Sequence, residues 1–295
     1  MADDNKNAKM QKYISQYTSY LEIEKCLSST TIKIYRNDIV EFQRYLGDKK
    51  PIEGTTRDRI RGFLVFLTRK HNQPITRRRK LTTLRSFFEY LTNEKKIREN
   101  PTKTIALPRV AIKEPSYFTE REIKKIITQI RKDKTRFKER NLTIFKVLAE
   151  TGLRIGEMVG LDIKDLDFKN KTMRVKRKGN YIQRIPIPNS LAKDLREFTK
   201  NKGFNNPVFI SSFKSRITQR RVSMLLQVYI KKAGESQEGK TIHSIRHGFC
   251  SRLLDKGVNL KTIQILAGHR SISTTERYLH IAKERLRQGI EMAQI

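Results

Sequence analysis

Between Leu27 and Gly47 the large apolar residues fall at Tyr35, Ile39, Phe42 and Leu46. Alternating steps of four and three lay one stripe along a helix. Ser28 or Ser29 stands where an N-cap oxygen accepts the first free amide hydrogens, and Gly47 can close the far end. The same spacing predicts a helix over Arg57–Lys70 with Ile60, Phe63, Leu64 and Leu67 inward. A further helix begins after Pro74 and buries Leu81, Leu84, Phe88 and Leu91. Its other side carries Arg78, Thr82 and Arg85, about a turn apart, as a basic stripe. Such a face is often simply solvated. The run Arg77, Arg78, Arg79, Lys80 favours a helix turned toward phosphate. The first third of the chain thus reads as helices throughout.

The pattern then lapses. Asn100, Pro101, Pro108 and Pro115 punctuate a stretch with few large apolar residues, and Thr119 with Glu122 forms a capping-box signature beyond it. The linker is placed at about 100–116, giving an N-terminal unit over 1–107 and a C-terminal unit over 108–295. In the second unit Met173 and Val175, then Ile182, Ile185 and Ile187, alternate around Lys178-Gly179-Asn180, which predicts a β-hairpin. Helices are expected to resume at Ser190, Gln219, His243, Leu260 and Ala282. The fold class is mainly α, with a small β-sheet in the second unit. No internal repeat or low-complexity tract interrupts it.

Charge narrows the function. Across 295 residues Lys and Arg total 64 against 30 Asp and Glu, a formal net charge of +34. That excess calls for a polyanion, and nucleic acid suits it because each phosphate contact releases counterions. Ribosome association, an anionic membrane surface and charge kept for solubility are the rival readings. The chain holds no apolar run long enough to span a bilayer, and its start is polar, so a cytoplasmic location is expected. Cys26 and Cys250 lack metal-ligand spacing and read as packing residues in a reducing compartment.

Three short segments carry candidate chemistry: Thr151-Gly152-Leu153-Arg154-Ile155-Gly156-Glu157, His243-Ser244-Ile245-Arg246-His247, and Gly268-His269 followed by Thr274-Thr275-Glu276-Arg277-Tyr278. Each alone has a plain explanation: a surface ion pair between Arg154 and Glu157, an arginine lining a helix, a structural histidine, a half-buried tyrosine. No acidic cluster suggests magnesium, and no glycine loop suggests a nucleotide.

In this order and spacing, the segments resemble the tyrosine recombinase (phage integrase) family, particularly its compact Xer-type members. The likeness covers nearly the whole chain. It includes Leu27-Ser28-Ser29-Thr30-Thr31 with Tyr35, Asp38 and Phe42, the proline-rich linker, the hairpin Lys178-Gly179-Asn180, and Leu266-Ala267-Gly268-His269. The sequence departs from the usual pattern at Ser244-Ile245, where Asp-Leu is frequent, and at Ala267, often leucine. Neither change removes a reacting group.

The resemblance implies a helical SAM-like core-binding domain followed by a mixed, mostly helical α+β catalytic domain. Attack on a phosphodiester builds negative charge on its non-bridging oxygens. Arg154 and Arg246, planar and always charged, would clamp them. Tyr278 would be the nucleophile; a phenol with a pKa of about 10 needs a base or a strong positive potential. His243 and His269 would hydrogen-bond the phosphate, with His243 the better candidate for proton transfer to or from the tyrosine. Lys178 would protonate the departing 5′ oxygen, with Lys176 sharing its strand parity as a substitute. Glu157 and His247 would support the site. Arg77, Arg78, Arg79, Lys80 and Arg85 are the candidate DNA contacts in the first unit.

The implied function is site-specific recombination through a 3′-phosphotyrosine and a Holliday junction, resolving or integrating replicons or mobile elements. Neither metal, nucleotide nor any other cofactor is expected. The implied partner is double-stranded DNA bearing an inverted-repeat core site. The implied assembly is a homotetramer on DNA, joined in some systems by a related recombinase or accessory protein, and nucleoid-associated. The tail Ala282–Ile295, with Leu286, Ile290 and Ala293 at helical spacing, would dock into a neighbouring protomer or fold back on its own domain. The alternatives are a type IB topoisomerase and a non-catalytic DNA-binding protein.

Overall fold

Within the described residues, helices form where the apolar stripes predict them. The computed structural model describes residues 2–47, 51–110, 116–177, 179, 181–236 and 239–268, with side chains from residue 8 onward. The chain divides into two compact units, Met1–Lys113 and Glu114–Ile295.

The first unit holds four α-helices among its described residues: α1 (Ala2–Ile23), α2 (Ser29–Leu46), α3 (Arg57–Arg69) and α4 (Pro74–Asn93). Ser28 caps α2 by accepting from the Thr31 amide, and Gly47 ends it at φ 84°. That region favours glycine because a side chain there crowds the following carbonyl. Pro74 is the first residue of α4, where its missing N–H costs nothing. The inward stripes meet in one core of Tyr17, Ile39, Phe42, Ile60, Phe63, Leu67, Leu81, Leu84, Phe88 and Leu91. Phe42 packs edge-on to Phe63 and Phe88, with centroids 5.0 and 6.1 Å apart. Leu64, expected inward, is half-buried, whereas Phe87 is fully buried.

One polar contact inside this unit corrects the sequence reading. Asp38 on α2 is buried and accepts from Lys80 Nζ at 3.2 Å and Thr83 Oγ1 at 3.0 Å, and also pairs with Arg79. Lys80 pairs with Glu41 as well and is itself buried. It is therefore an internal strut between α2 and α4. An ammonium with its charge spent on two carboxylates is not a solvent-facing phosphate contact.

The second unit begins with α5 (Glu120–Arg131), opened by the predicted capping box: Glu122 N–H donates to Thr119 Oγ1 at 3.3 Å, and Thr119 N–H to Glu122 Oε2 at 2.9 Å. α6 (Lys138–Thr151) is buried nearly all round and packs against α5 and two later helices, α8 (Asn189–Thr199) and α10 (Ile242–Asp255). A short α7 (Ile155–Val159) follows α6. The small sheet is antiparallel in the order β1 (Leu166–Asp167), β2 (Thr172–Lys176), β3 (Ile182–Pro186). The hairpin matches the alternation, and β1 is an addition too short to leave a periodic trace.

Ile182 reverses its expected orientation. It pairs with Lys176 on the outer parity and is 60% exposed, while Ile185 and Ile187 are buried. α9 (Gln219–Lys232) and α11 (Leu260–Ala267) complete the described α-helices. Phe249, Cys250, Leu254, Ile263 and Ala267 join α10 to α11 in a satellite core. Cys250 thus packs as expected, but Cys26 is exposed and is no packing residue. The helix expected from Ala282 lies outside the described residues.

Candidate active site

The site residues that can be placed gather around one helix end. α11 stops at Ala267 because Gly268 turns left-handed at φ 62°. Helix C-termini leave their last four carbonyls without intrahelical partners, at the negative end of the macrodipole. Here four consecutive carbonyls are met by four side chains from elsewhere in the unit. Gln183 Nε2 on β3 donates to Ile265 O at 3.0 Å. Arg177, just past β2, donates Nη2 to Leu266 O at 2.8 Å and Nη1 to Ala267 O at 3.4 Å. Arg246 on α10 donates Nη2 to Ala267 O. Arg154 donates Nη2 to Gly268 O at 2.9 Å.

Each arginine is also held from behind. Arg154 sits just before α7, and Glu157, three residues on, reaches back to it. Its Oε1 lies 2.7 Å from Arg154 Nη1, and its Oε2 accepts the Arg154 amide at 2.9 Å. The same Oε2 lies 2.6 Å from Arg177 Nη1. One buried carboxylate therefore braces two guanidinium groups. Arg246 Nη1 donates to Gly152 O at 2.7 Å, where Gly152 ends α6 at φ 62°. A Cβ there would lie 2.2 Å from the Phe249 ring, so only glycine lets the α6 end approach α10.

Three guanidinium groups share this cluster with a single described carboxylate, leaving an excess of positive charge. Burial first, then the field of Arg154, pulls Arg246 down to about 10. It stays protonated at neutral pH. His243, three residues before Arg246 on α10, is exposed at the start of that helix. Partial burial, then Arg246 and Arg154, hold its imidazole below the usual value. A neutral imidazole is a competent proton acceptor. An anion entering here would relieve the repulsion among the arginines, which is how a preorganised site stabilises developing negative charge.

Arg154, Arg246 and Glu157 thus belong to one connected network, and His243 lies within its field. His247 is half-buried one helical turn after His243. Lys178, His269 and Tyr278 lie outside the described residues, although Lys178 directly follows Arg177 and His269 directly follows Gly268. Lys176 is exposed at the end of β2.

Arg177 is the residue that motif reading misses. Its signal was strand parity: it continues the inward series Met173, Val175, and a charge on the core side of a strand must find a partner there.

In the first unit the basic run points in several directions. Arg78 is exposed, Arg77 Nη1 donates to Thr68 Oγ1 at 2.5 Å, and Arg79 pairs with Asp38. Arg85 is half-buried and donates Nη2 to Ile105 O at 2.6 Å.

Comparison with known proteins agrees with this geometry. Residues 116–285 match the model of the phage integrase family, and residues 14–95 match its N-terminal SAM-like domain. The tyrosine recombinase XerC of Pediococcus pentosaceus is 32% identical over 289 residues, covering 94% of this chain and 95% of that protein. The XerC of Natranaerobius thermophilus is 30% identical, covering 94% and 96%. Among solved structures, XerH in a post-cleavage complex with palindromic difH has a TM-score of 0.75 at 23% identity, covering 94% of this chain and 84% of that one. A λ integrase dimer on a COC′ core site also scores 0.75, at 21% identity, covering 91% and 76%. At those identities the structures establish the shared fold.

Proposed function

Because the chain belongs to the phage integrase family, we propose that it is a site-specific DNA recombinase that breaks and rejoins strands through a phosphotyrosine. The observation that carries this reading is the arginine cluster braced by Glu157, a preorganised receptor for an anionic phosphodiester. Tyr278 Oη attacks the scissile phosphorus, forming a P–O bond as the bond to the 5′ oxygen breaks. The phenolic proton passes to His243, and the departing 5′ oxygen takes a proton from Lys178. Arg154 and Arg246 stabilise the charge on the non-bridging oxygens, and His269 hydrogen-bonds one of them. Attack by a 5′ hydroxyl reverses these transfers, so the bond energy is stored and no nucleotide is consumed.

The finer reading follows the family. The N-terminal unit, joined by the linker at about 100–116, and the catalytic unit each bind an inverted-repeat core site. Arg78 and Arg79 are the exposed members of the basic run, and Arg79 is already paired with Asp38, which leaves Arg78 for a phosphate. Four protomers on DNA exchange strands through a Holliday junction in the cytoplasm, at the nucleoid. The tail beyond Ala282 passes between protomers, and a related recombinase or accessory protein sets direction.

Covalent capture tests the reading. Nicked suicide duplexes tiled across the protein's own genomic neighbourhood should trap it on one sequence, linked at a 3′ phosphate, with attachment abolished by Tyr278→Phe. Cut strands that never carry protein would overturn it. Relaxation of supercoils by a monomer without a preferred site would instead indicate a type IB topoisomerase.

A further inference from the structure

We infer that Arg177 is a positioning residue for strand cleavage, acting through Glu157 on Arg154. This rests on the assignment of Arg154 to the phosphate. Arg177 is buried and its guanidinium satisfies four partners: the Glu157 carboxylate at 2.6 Å, Gln183 Oε1 at 3.0 Å, and the carbonyls of Leu266 and Ala267 at 2.8 and 3.4 Å.

These four partners lie on α7, on the sheet and on α11. Only a guanidinium supplies enough donors in one plane to join all three, since an ammonium is a compact point charge. The consequence falls on Glu157. With Arg177 in place, each oxygen of that carboxylate has its own guanidinium, and the fork of Arg154 has a fixed base. Without it, Oε2 keeps only the Arg154 amide, and the carboxylate can turn with the Arg154 guanidinium, whose second nitrogen reaches Gly268 O on the same α11 terminus. The angle at which Arg154 presents its outer edge is then no longer set.

Gly268 fits the same role. A Cβ at that position would lie 2.7 Å from Cζ and Nε of Arg177, so the turn ending α11 is shaped around this side chain. Arg177 has no part in binding substrate in this account. Its contribution passes entirely through the geometry of Arg154.

The test compares Arg177→Lys with Arg154→Ala on the duplex found by covalent capture, made with an ordinary scissile phosphate or with a neutral methylphosphonate there. A methylphosphonate lacks the charged oxygen that Arg154 serves. On phosphate, Arg177→Lys should cleave on the order of tenfold or more slowly at unchanged DNA affinity, as expected of a group whose interaction is realised in the transition state. On methylphosphonate the deficits of both variants should shrink toward wild type.

A deficit in Arg177→Lys that persists on methylphosphonate while that of Arg154→Ala shrinks would overturn the inference and leave the assignment of Arg154 standing. If neither shrinks, the assignment of Arg154 fails, and the role of Arg177 with it. Should Arg177→Lys fold poorly, Gln183→Ala removes one hydrogen bond from the same guanidinium and leaves the buried ion pair in place. It should show a smaller deficit with the same methylphosphonate dependence, and a deficit insensitive to that replacement would count against the proposal.

Discussion

Gly268 faces the guanidinium of Arg177 so closely that a single methyl group on its α-carbon would lie 2.7 Å from the Cζ atom. Its backbone is also left-handed, at φ 62°. Gly268→Ala therefore meets two penalties. The left-handed conformation alone costs about 1–2 kcal/mol for an alanine. The clash adds to it by pushing Arg177 off the α11 carbonyls. Thermal unfolding should show a lowered midpoint, and single-turnover cleavage should slow more than stability alone explains. Wild-type cleavage in a folded Gly268→Ala protein would contradict this packing.

Glu157 balances two arginines from a buried position, with 6% of its side chain exposed. Removing one partner of a buried ion pair leaves uncompensated charge and costs about 3 kcal/mol or more. Urea denaturation of Glu157→Gln should register that loss. A change below about 1 kcal/mol, the range of exposed pairs, would mean that water screens the cluster.

Lys80 and Arg78 are two residues apart and should behave differently. Lys80 is tied to Asp38 and Glu41 inside the first unit, so Lys80→Met should cost about 2 kcal/mol of stability. It should leave the salt dependence of DNA binding unchanged. Arg78 is exposed, and if it meets a phosphate, Arg78→Ala should reduce the log–log salt slope by about 0.9. Titrations of both variants from low to high salt decide the matter.

His243 predicts a pH profile. Its imidazole is held below the ordinary 6.5 by partial burial and by Arg246 and Arg154. A base works only when unprotonated, and a lowered pKa keeps it so to lower pH. The midpoint of the acid limb of cleavage should thus lie below 6.5. Single-turnover rates against pH will show the limb, and His243→Gln should abolish it. A limb with its midpoint above 6.5 that His243→Gln removes would contradict the lowered pKa, and one that survives His243→Gln would exclude His243 as the base.

Local chemistry made the elements legible in the sequence. The stripe Ile39, Phe42, Leu46 specified α2 because a helix returns to the same face every three or four residues. Ser28 and the Thr119–Glu122 box marked helix starts because a side-chain oxygen can satisfy an amide three residues on. The order and spacing of the arginine, histidine and tyrosine motifs pointed to the family that the comparisons show. Tertiary structure alone decided how charges pair across sequence distance. Lys80 and Arg177 are ordinary basic residues in the sequence. In the fold the first meets Asp38, 42 residues away, and the second meets Glu157, 20 away, and Leu266, 89 away. A charge placed out of water must find a partner, but which partner depends on which elements pack beside it, and no local pattern encodes that.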